Sequence, residues 1–330
     1  MIHPIPPGTR DILPEEMREL RRLRDALLEV FEGRGYGEVA TPAIEYDEVL
    51  ARGDGRTADS AYRFFDERGD LLALRSDMTV PIARLVASRF AEAEPPLRLC
   101  YLANAFRAVR PQRGQMREFS QAGVELIGMP APQGTAEVIE VLDAALGKAG
   151  LDRAVIGLGD ADLYRGLLAE YGVGEGARDS ILERLATHDL VGLEQELIRT
   201  GIGEERVATC VALSQLRGGR EVLAQARALG GEAVERATAR LGETLEALEG
   251  RGAASRVQVD LGLLRDLGYY SGAILEVYDP ALGHVLGGGG RYDGLLERFG
   301  VDLPAAGFAL YLERLHVAQM EEESRREKEL

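Results

Sequence analysis

Arg117-Glu118-Phe119-Ser120-Gln121-Ala122-Gly123-Val124-Glu125-Leu126-Ile127 is the stretch on which the fold turns. Side chains alternate along a strand, so Arg117, Phe119, Gln121, Gly123, Glu125 and Ile127 share one face. Ser120, Ala122, Val124 and Leu126 share the other, which is mostly apolar and reads as core. On the first face Gln121 and Glu125 flank Gly123, a small residue that leaves room for a ligand to approach the sheet. Residues 97–102 are also strand-like. Between the two strands lies a basic, turn-rich loop with Arg107, Arg110, Pro111, Arg113 and Gly114. Strand, turn and strand predict an antiparallel hairpin.

Outward from this hairpin, residues 10–35 carry Leu20, Leu23, Leu27 and Phe31 at helix spacing and close on Gly33 and Gly35. Residues 39–45 read as a short strand around Pro42, suited to an edge or interface. Residues 62–74 predict a second hairpin turning at Asp66 to Asp70, and a helix should begin near Thr79-Val80-Pro81 with Ile82, Leu85, Val86 and Phe90 buried. Residues 136–149 form a further helix. From 162 to 250 helical patterns follow one another almost without strands, so residues 162–250 are expected as a mostly helical insertion into a core of 1–161 and 251–330. Strands return at 257–261, 269–278 and the glycine-rich run into Arg291. A last helix is expected over 305–320, with 321–330 as a frayed, solvated end. This order predicts an α+β fold, an antiparallel sheet flanked by helices.

Composition excludes several classes. In 330 residues, 39 Lys and Arg face 55 Asp and Glu, a net charge of −16, so nucleic acid is not expected as a general partner. No apolar stretch approaches the roughly 20 residues of a membrane span, and the N-terminus shows no secretory pattern, which makes the cytoplasm the expectation. Two cysteines are too few for a disulfide framework. His3, His188, His284 and His316 are scattered and no metal-ligand spacing occurs, so no metal is expected. Residues 157–162 lack the third glycine of a dinucleotide fingerprint, residues 287–293 lack a P-loop, and no cofactor is expected.

Several residues invite a functional reading, and each has a plain structural one. Gln121 and Glu125 suit an ammonium or imidazolium ligand, but polar residues on an exposed sheet face need no ligand. Arg107 and its neighbours suit carboxylates or phosphates, or simply a solvated tip. Asp77 and Thr79 precede a helix and read as caps or as the edge of a site. Tyr269 and Tyr270 open a strand, where adjacent side chains point oppositely and at most one lines a given pocket. Gly287 to Gly290 read equally as a turn or as backbone exposed for a planar ligand.

Taken in order, these segments resemble histidyl-tRNA synthetase over essentially the whole chain. The segments are Pro7-Gly8-Thr9-Arg10-Asp11-Ile12-Leu13-Pro14, Leu74-Arg75-Ser76-Asp77-Met78-Thr79, Phe106-Arg107 with Arg110-Pro111-Gln112-Arg113-Gly114, Glu118 to Glu125, Tyr269-Tyr270-Ser271-Gly272, Gly288 to Asp293, and Gly307-Phe308-Ala309 with Glu313-Arg314-Leu315. The helical insertion is only loosely similar. The resemblance implies a class II aminoacyl-tRNA synthetase-like core that dimerises near the Pro42 strand.

Departures from that pattern narrow the function. The chain ends after the Arg314 helix, where a synthetase continues into an anticodon-binding domain. The family's Phe-Arg-x-Glu reads Phe106-Arg107-Ala108-Val109, Gln115 stands for a phosphate-facing arginine, Arg-Gly-Leu-Asp reads Arg265-Asp266-Leu267-Gly268, and a loop histidine is Ser120. Losing a cation weakens phosphoryl chemistry, so the ATP site is degraded although Arg107, Arg265 and Arg314 remain. Residues matching the amino-acid pocket persist: Asp77, Thr79, Arg107, Gln121, Glu125, Arg265, Tyr269 and Tyr270. The chain therefore resembles the regulatory subunits of ATP phosphoribosyltransferase, synthetase paralogues that lack the tRNA-reading domain. The resemblance implies no catalytic residue, a short-form catalytic partner subunit, histidine as effector and no tRNA. The rival reading is a truncated synthetase that still forms an aminoacyl adenylate; a tRNA-binding factor is disfavoured by the acidic balance.

Overall fold

A computed structural model of the chain describes residues 5–53, 61–108, 116–265, 268–280, 282 and 284–329. Helix α1 (Pro14–Gly33) starts with Pro14 in its first turn beside Glu15 and Glu16, where neither a missing N–H nor a negative charge is costly. Its predicted apolar stripe, Leu20, Leu23, Leu27 and Phe31, is buried. Gly35 follows at φ +83°, a conformation that favours glycine, and its N–H bonds the Glu32 carbonyl.

Strands β1 (Gly37–Glu38) and β2 (Ile44–Tyr46) flank Pro42, which lies in the connection. The expected strand through Pro42 is therefore broken: proline offers no N–H to a ladder, and the Arg75 guanidinium takes the carbonyls of Thr41 (2.6 Å) and Pro42 (3.3 Å) instead. After α2 (Asp47–Gly53) comes the expected second hairpin, β3 (Arg63–Phe65) and β4 (Leu71–Leu74), whose turn is held by the Asp66 carboxylate on the N–H groups of Arg68 and Asp70. Strand β2 joins it to make a three-stranded sheet in the order β2-β4-β3. Helix α3 (Thr79–Arg89) buries Val80, Ile82 and Val86, while Leu85 and Phe90 are half-exposed.

The main sheet holds β5 (Leu97–Phe106), β6 (Glu118–Ile127), β7 (Val155–Asp160), β8 (Arg217–Gly218), β9 (Val257–Asp260), β10 (Ala273–Tyr278), β11 (Val285–Arg291) and β12 (Ala305–Tyr311) together with β1. Their order is β1-β5-β6-β12-β11-β10-β7-β9-β8, antiparallel except for the β1–β5 and β7–β9 pairs. The first hairpin pairs in the expected way, with Gly123 opposite Tyr101 and Glu125 opposite Leu99.

Two expectations change. Residues 305–311 are a central strand and not the start of a helix. A short, continuous apolar run carries no periodicity to separate the two, and pairing with β6 and β11 on both sides settles it. Gly287 to Gly290 lie in strand β11, as the expected return of strand in the glycine-rich run had it, and the turn reading is the one set aside. The last helix, α11 (Leu312–Glu329), runs through the charged tail, because the buried Glu322 carboxylate accepts the N–H groups of Asp152 and Arg153. Residues 157–160, dismissed as a fingerprint, belong to β7.

Helix α4 (Gln133–Lys148) covers the back of the sheet with α1. Between residues 162 and 250 the chain forms α5 (Leu163–Glu170), α6 (Glu175–Ala186), α7 (Leu190–Arg199), α8 (Glu204–Gln215), α9 (Glu221–Leu229) and α10 (Glu232–Glu249), with β8 alone as strand. Helix α10 packs on α4, α5 and β7, and one apolar cluster runs from Leu142 and Leu158 to Leu197, Leu213 and Leu241. Arg240 of α10 forks onto the fully buried Asp160 carboxylate at 2.7 and 2.8 Å. A second cluster covers the opposite face of the sheet with Met78, Ile82, Tyr101, Tyr269, Tyr270 and Tyr292. No described helix is long and apolar enough to cross a membrane.

Candidate functional site

A cleft opens on that tyrosine-rich face. It holds about 410 Å³ of empty space that reaches solvent. Asp77, Thr79, Arg107, Gln121, Arg265, Tyr269 and Tyr270 all line it, so seven of the eight residues singled out from the sequence meet at one place. The eighth, Glu125, stands just behind the lining.

Alternation along β6 puts Gln121 and Glu125 on the cleft face, but the space above Gly123 is not left for a ligand. A Cβ there would collide with the Tyr101 phenol and the Phe308 carbonyl, so the glycine makes room for Tyr101. Gly307 of β12, paired with Glu125 of β6, similarly admits the Glu125 carboxyl group. Gly288 admits Arg265. These glycines therefore house protein side chains at the floor of the cleft.

Glu125 is 2% exposed. Thr79 Oγ1 donates to its Oε1 at 2.8 Å and the Tyr292 hydroxyl to its Oε2. Burial nevertheless dominates and pushes its pKa up to about 8; the two hydrogen bonds oppose the shift and the Asp77 carboxylate adds to it. No cation lies within ion-pair distance of Glu125 among the described residues. Gln121 is also 2% exposed, and its Oε1 is buried without a hydrogen-bond donor among them. Buried acceptors are almost always satisfied, so Gln121 asks for a donor, and Glu125 for a cation, from outside the described residues.

Asp77 serves both readings. Its Oδ1 accepts the Val80 N–H at 3.2 Å, capping α3, while its side chain borders the cleft. Tyr269 and Tyr270 correct the expectation that only one could face the pocket. They precede β10 in a turn, free of strand alternation, and both rings line the cleft 5.0 Å apart. Burial raises both phenols, Tyr270 to about 12 with Arg265 holding it back, so they are neutral hydrogen-bonding groups. The turn is fixed by Asp162, which accepts the Gly272 N–H at 3.0 Å, and by Arg165, which donates to the Tyr270 carbonyl at 3.2 Å.

A family model for histidyl-tRNA synthetase matches residues 8–315. A protein named ATP phosphoribosyltransferase regulatory subunit from Moorella thermoacetica is 43% identical over 319 residues, which span 96% of this chain and 82% of the relative. Another of that name from Symbiobacterium thermophilum is 45% identical over 319 residues, spanning 96% and 79%. This chain belongs to the ATP phosphoribosyltransferase regulatory subunit family. A crystal structure of an ATP phosphoribosyltransferase regulatory subunit/histidyl-tRNA synthetase from Bacillus halodurans agrees in fold at a TM-score of 0.88 and 34% identity, covering 97% of this chain and 84% of that one. The central sheet with its helices is thus a histidyl-tRNA synthetase-like class II core.

Reading the sequence of this family member missed Tyr101, Tyr292 and Tyr311, which complete the cleft. Tyr101 sits directly opposite Gly123, and an aromatic paired with a glycine is a signal available once register is known. Tyr311 fell inside the segment expected as helix. The substitutions Val109, Gln115 and Asp266, with Arg110 and Arg113, lie outside the described residues. Among the described residues no group of three or more His, Cys, Asp and Glu could hold a metal ion.

Proposed function

We propose that this chain is the regulatory subunit of an ATP phosphoribosyltransferase, without a catalytic step of its own, and that the cleft binds free histidine as the feedback effector. One observation carries the reading of the cleft: among the described residues, buried Glu125 has no cation and buried Gln121 Oε1 has no donor. An amino acid bearing an imidazole brings both. Its ammonium or imidazole N–H groups meet Glu125, Gln121, Asp77 and Thr79, and its carboxylate meets Arg107 and Arg265, while Tyr269 and Tyr270 supply neutral walls. Binding shifts the partner subunit by the difference in histidine affinity between two arrangements of the assembly, typically about 1–3 kcal/mol.

The partner in this reading is a short-form catalytic subunit that performs the reaction. Self-association as a dimer is supported by the outer face of the three-stranded sheet, where Ile44, Tyr46 and Phe64 are 48%, 50% and 38% exposed beside half-buried Leu72 and Leu74. Co-purification with a short-form catalytic subunit, followed by activity with and without histidine, tests the assignment. Calorimetry on that complex tests the pocket: Gln121→Ala and Glu125→Gln should weaken histidine at least tenfold. Unchanged affinity in both would remove the cleft as the sensor. Histidine-dependent exchange of pyrophosphate into ATP by the chain alone would instead establish the adenylate-forming rival.

A further inference from the structure

Arg107, Arg265 and Arg314 converge on one side chain in the cleft, Tyr311. The Tyr311 ring meets the Phe119 ring edge-to-face with centroids 5.5 Å apart, and the Arg314 guanidinium lies 4.7 Å from the Tyr311 centroid. The Arg107 guanidinium lies near enough to the Tyr311 phenol to lower its pKa and also stacks over Phe119 at 5.0 Å. Arg314 is held in place by the Val285 carbonyl at 2.6 Å. Among the described residues, none of these three guanidiniums has a carboxylate within ion-pair distance, in a chain whose net charge is −16. Charges of one sign gathered in a half-buried cleft repel one another, and the phenol oxygen is the group placed to relieve them.

A flat ring set between an arene and a guanidinium, with its oxygen near a second guanidinium, has the contacts a protein uses to hold a planar anionic ligand. Here the occupant belongs to the chain. We propose that Tyr311 is a built-in plug that denies the arginine-lined half of the cleft to nucleoside phosphates and restricts the cleft to amino-acid-sized ligands. Its ring takes the slot of a heterocycle and its hydroxyl lies near the cation that a phosphate would need. The plug adds steric closure to a nucleotide site already weakened in sequence at Val109 and Gln115. It does not rest on the histidine reading, since it concerns what is kept out.

Calorimetry of the full-length chain with AMP as probe tests the plug in wild type, Tyr311→Ala, Tyr311→Leu and Tyr311→Phe. Tyr311→Ala should bind AMP at least tenfold more tightly than wild type. Tyr311→Leu, which keeps apolar bulk against Phe119 should the alanine variant fail to fold, should gain at least threefold. Tyr311→Phe keeps the ring and should gain less than threefold. Histidine titrated into the same proteins separates the two readings: its failure to bind wild type sinks the effector assignment and leaves the AMP comparison standing. No gain in AMP affinity in a folded alanine or leucine variant, or an equal gain in Tyr311→Phe, overturns the plug.

Discussion

Replacing Glu125 with glutamine is the sharpest test of the cleft, because its consequence depends on pH in a calculable way. The folded protein holds the Glu125 proton up to about pH 8, whereas the ordinary value is 4.5. Between these limits the folded state binds more protons than the unfolded state, so stability falls as pH rises, by about 1.4 kcal/mol per unit. Below the window both states are protonated and the penalty is absent; above it the penalty is constant. Glutamine keeps the shape and one acceptor oxygen, its amide NH2 donating to whichever of the Thr79 and Tyr292 hydroxyls turns to accept, but it cannot ionise. From about pH 5.5 to 7.5 the wild type should therefore lose about 3 kcal/mol relative to Glu125→Gln, read as the difference in urea unfolding free energy. Other titrating groups cancel in that difference. Saturating histidine should flatten the slope in the wild type, since a cation opposite the carboxylate offsets its desolvation. A wild-type-minus-variant difference that stays level across the window would show that burial does not govern Glu125, and the argument from an uncompensated carboxyl group would fail.

Three further outcomes are expected. Gly307→Ala drives a Cβ into the Glu125 carboxyl group and the Val124 carbonyl, so it should cost about 1–3 kcal/mol in thermal unfolding and abolish histidine binding measured by calorimetry. Arg240→Ala strands the fully buried Asp160 carboxylate; with the arginine itself partly exposed, the cost in urea unfolding should be about 2–3 kcal/mol. Ile44→Asp with Phe64→Asp places charge on the open face of the three-stranded sheet and should halve the mass measured by light scattering, while an unchanged mass would locate self-association elsewhere.

The assignment of a regulatory role draws its physical sense from an imbalance within one cleft. Around Glu125 and Gln121 the described residues supply buried acceptors and no cation, which under the proposed function a small zwitterion provides. Around Arg314 it supplies cations and fills the space with its own phenol. Under the proposed function, such a pocket responds to occupancy without chemistry, as an effector site requires.

Local pattern alone determined much of this protein. The spacing of Leu20, Leu23, Leu27 and Phe31 wrote α1, the Asp66 turn wrote the β3–β4 hairpin, and strand alternation put Gln121 and Glu125 on one face, because each depends only on backbone periodicity and near neighbours. Ordered motifs then collected the site residues that meet in the cleft. Tertiary structure alone decided that residues 305–311 are strand, since an apolar run takes its conformation from the partners on either side. It decided that both Tyr269 and Tyr270 face inward, through a hydrogen bond to Asp162 and one from Arg165, more than a hundred residues away in the chain. It also decided the protonation of Glu125 and the surroundings of Tyr311, because desolvation and charge are summed over neighbours that only folding brings together.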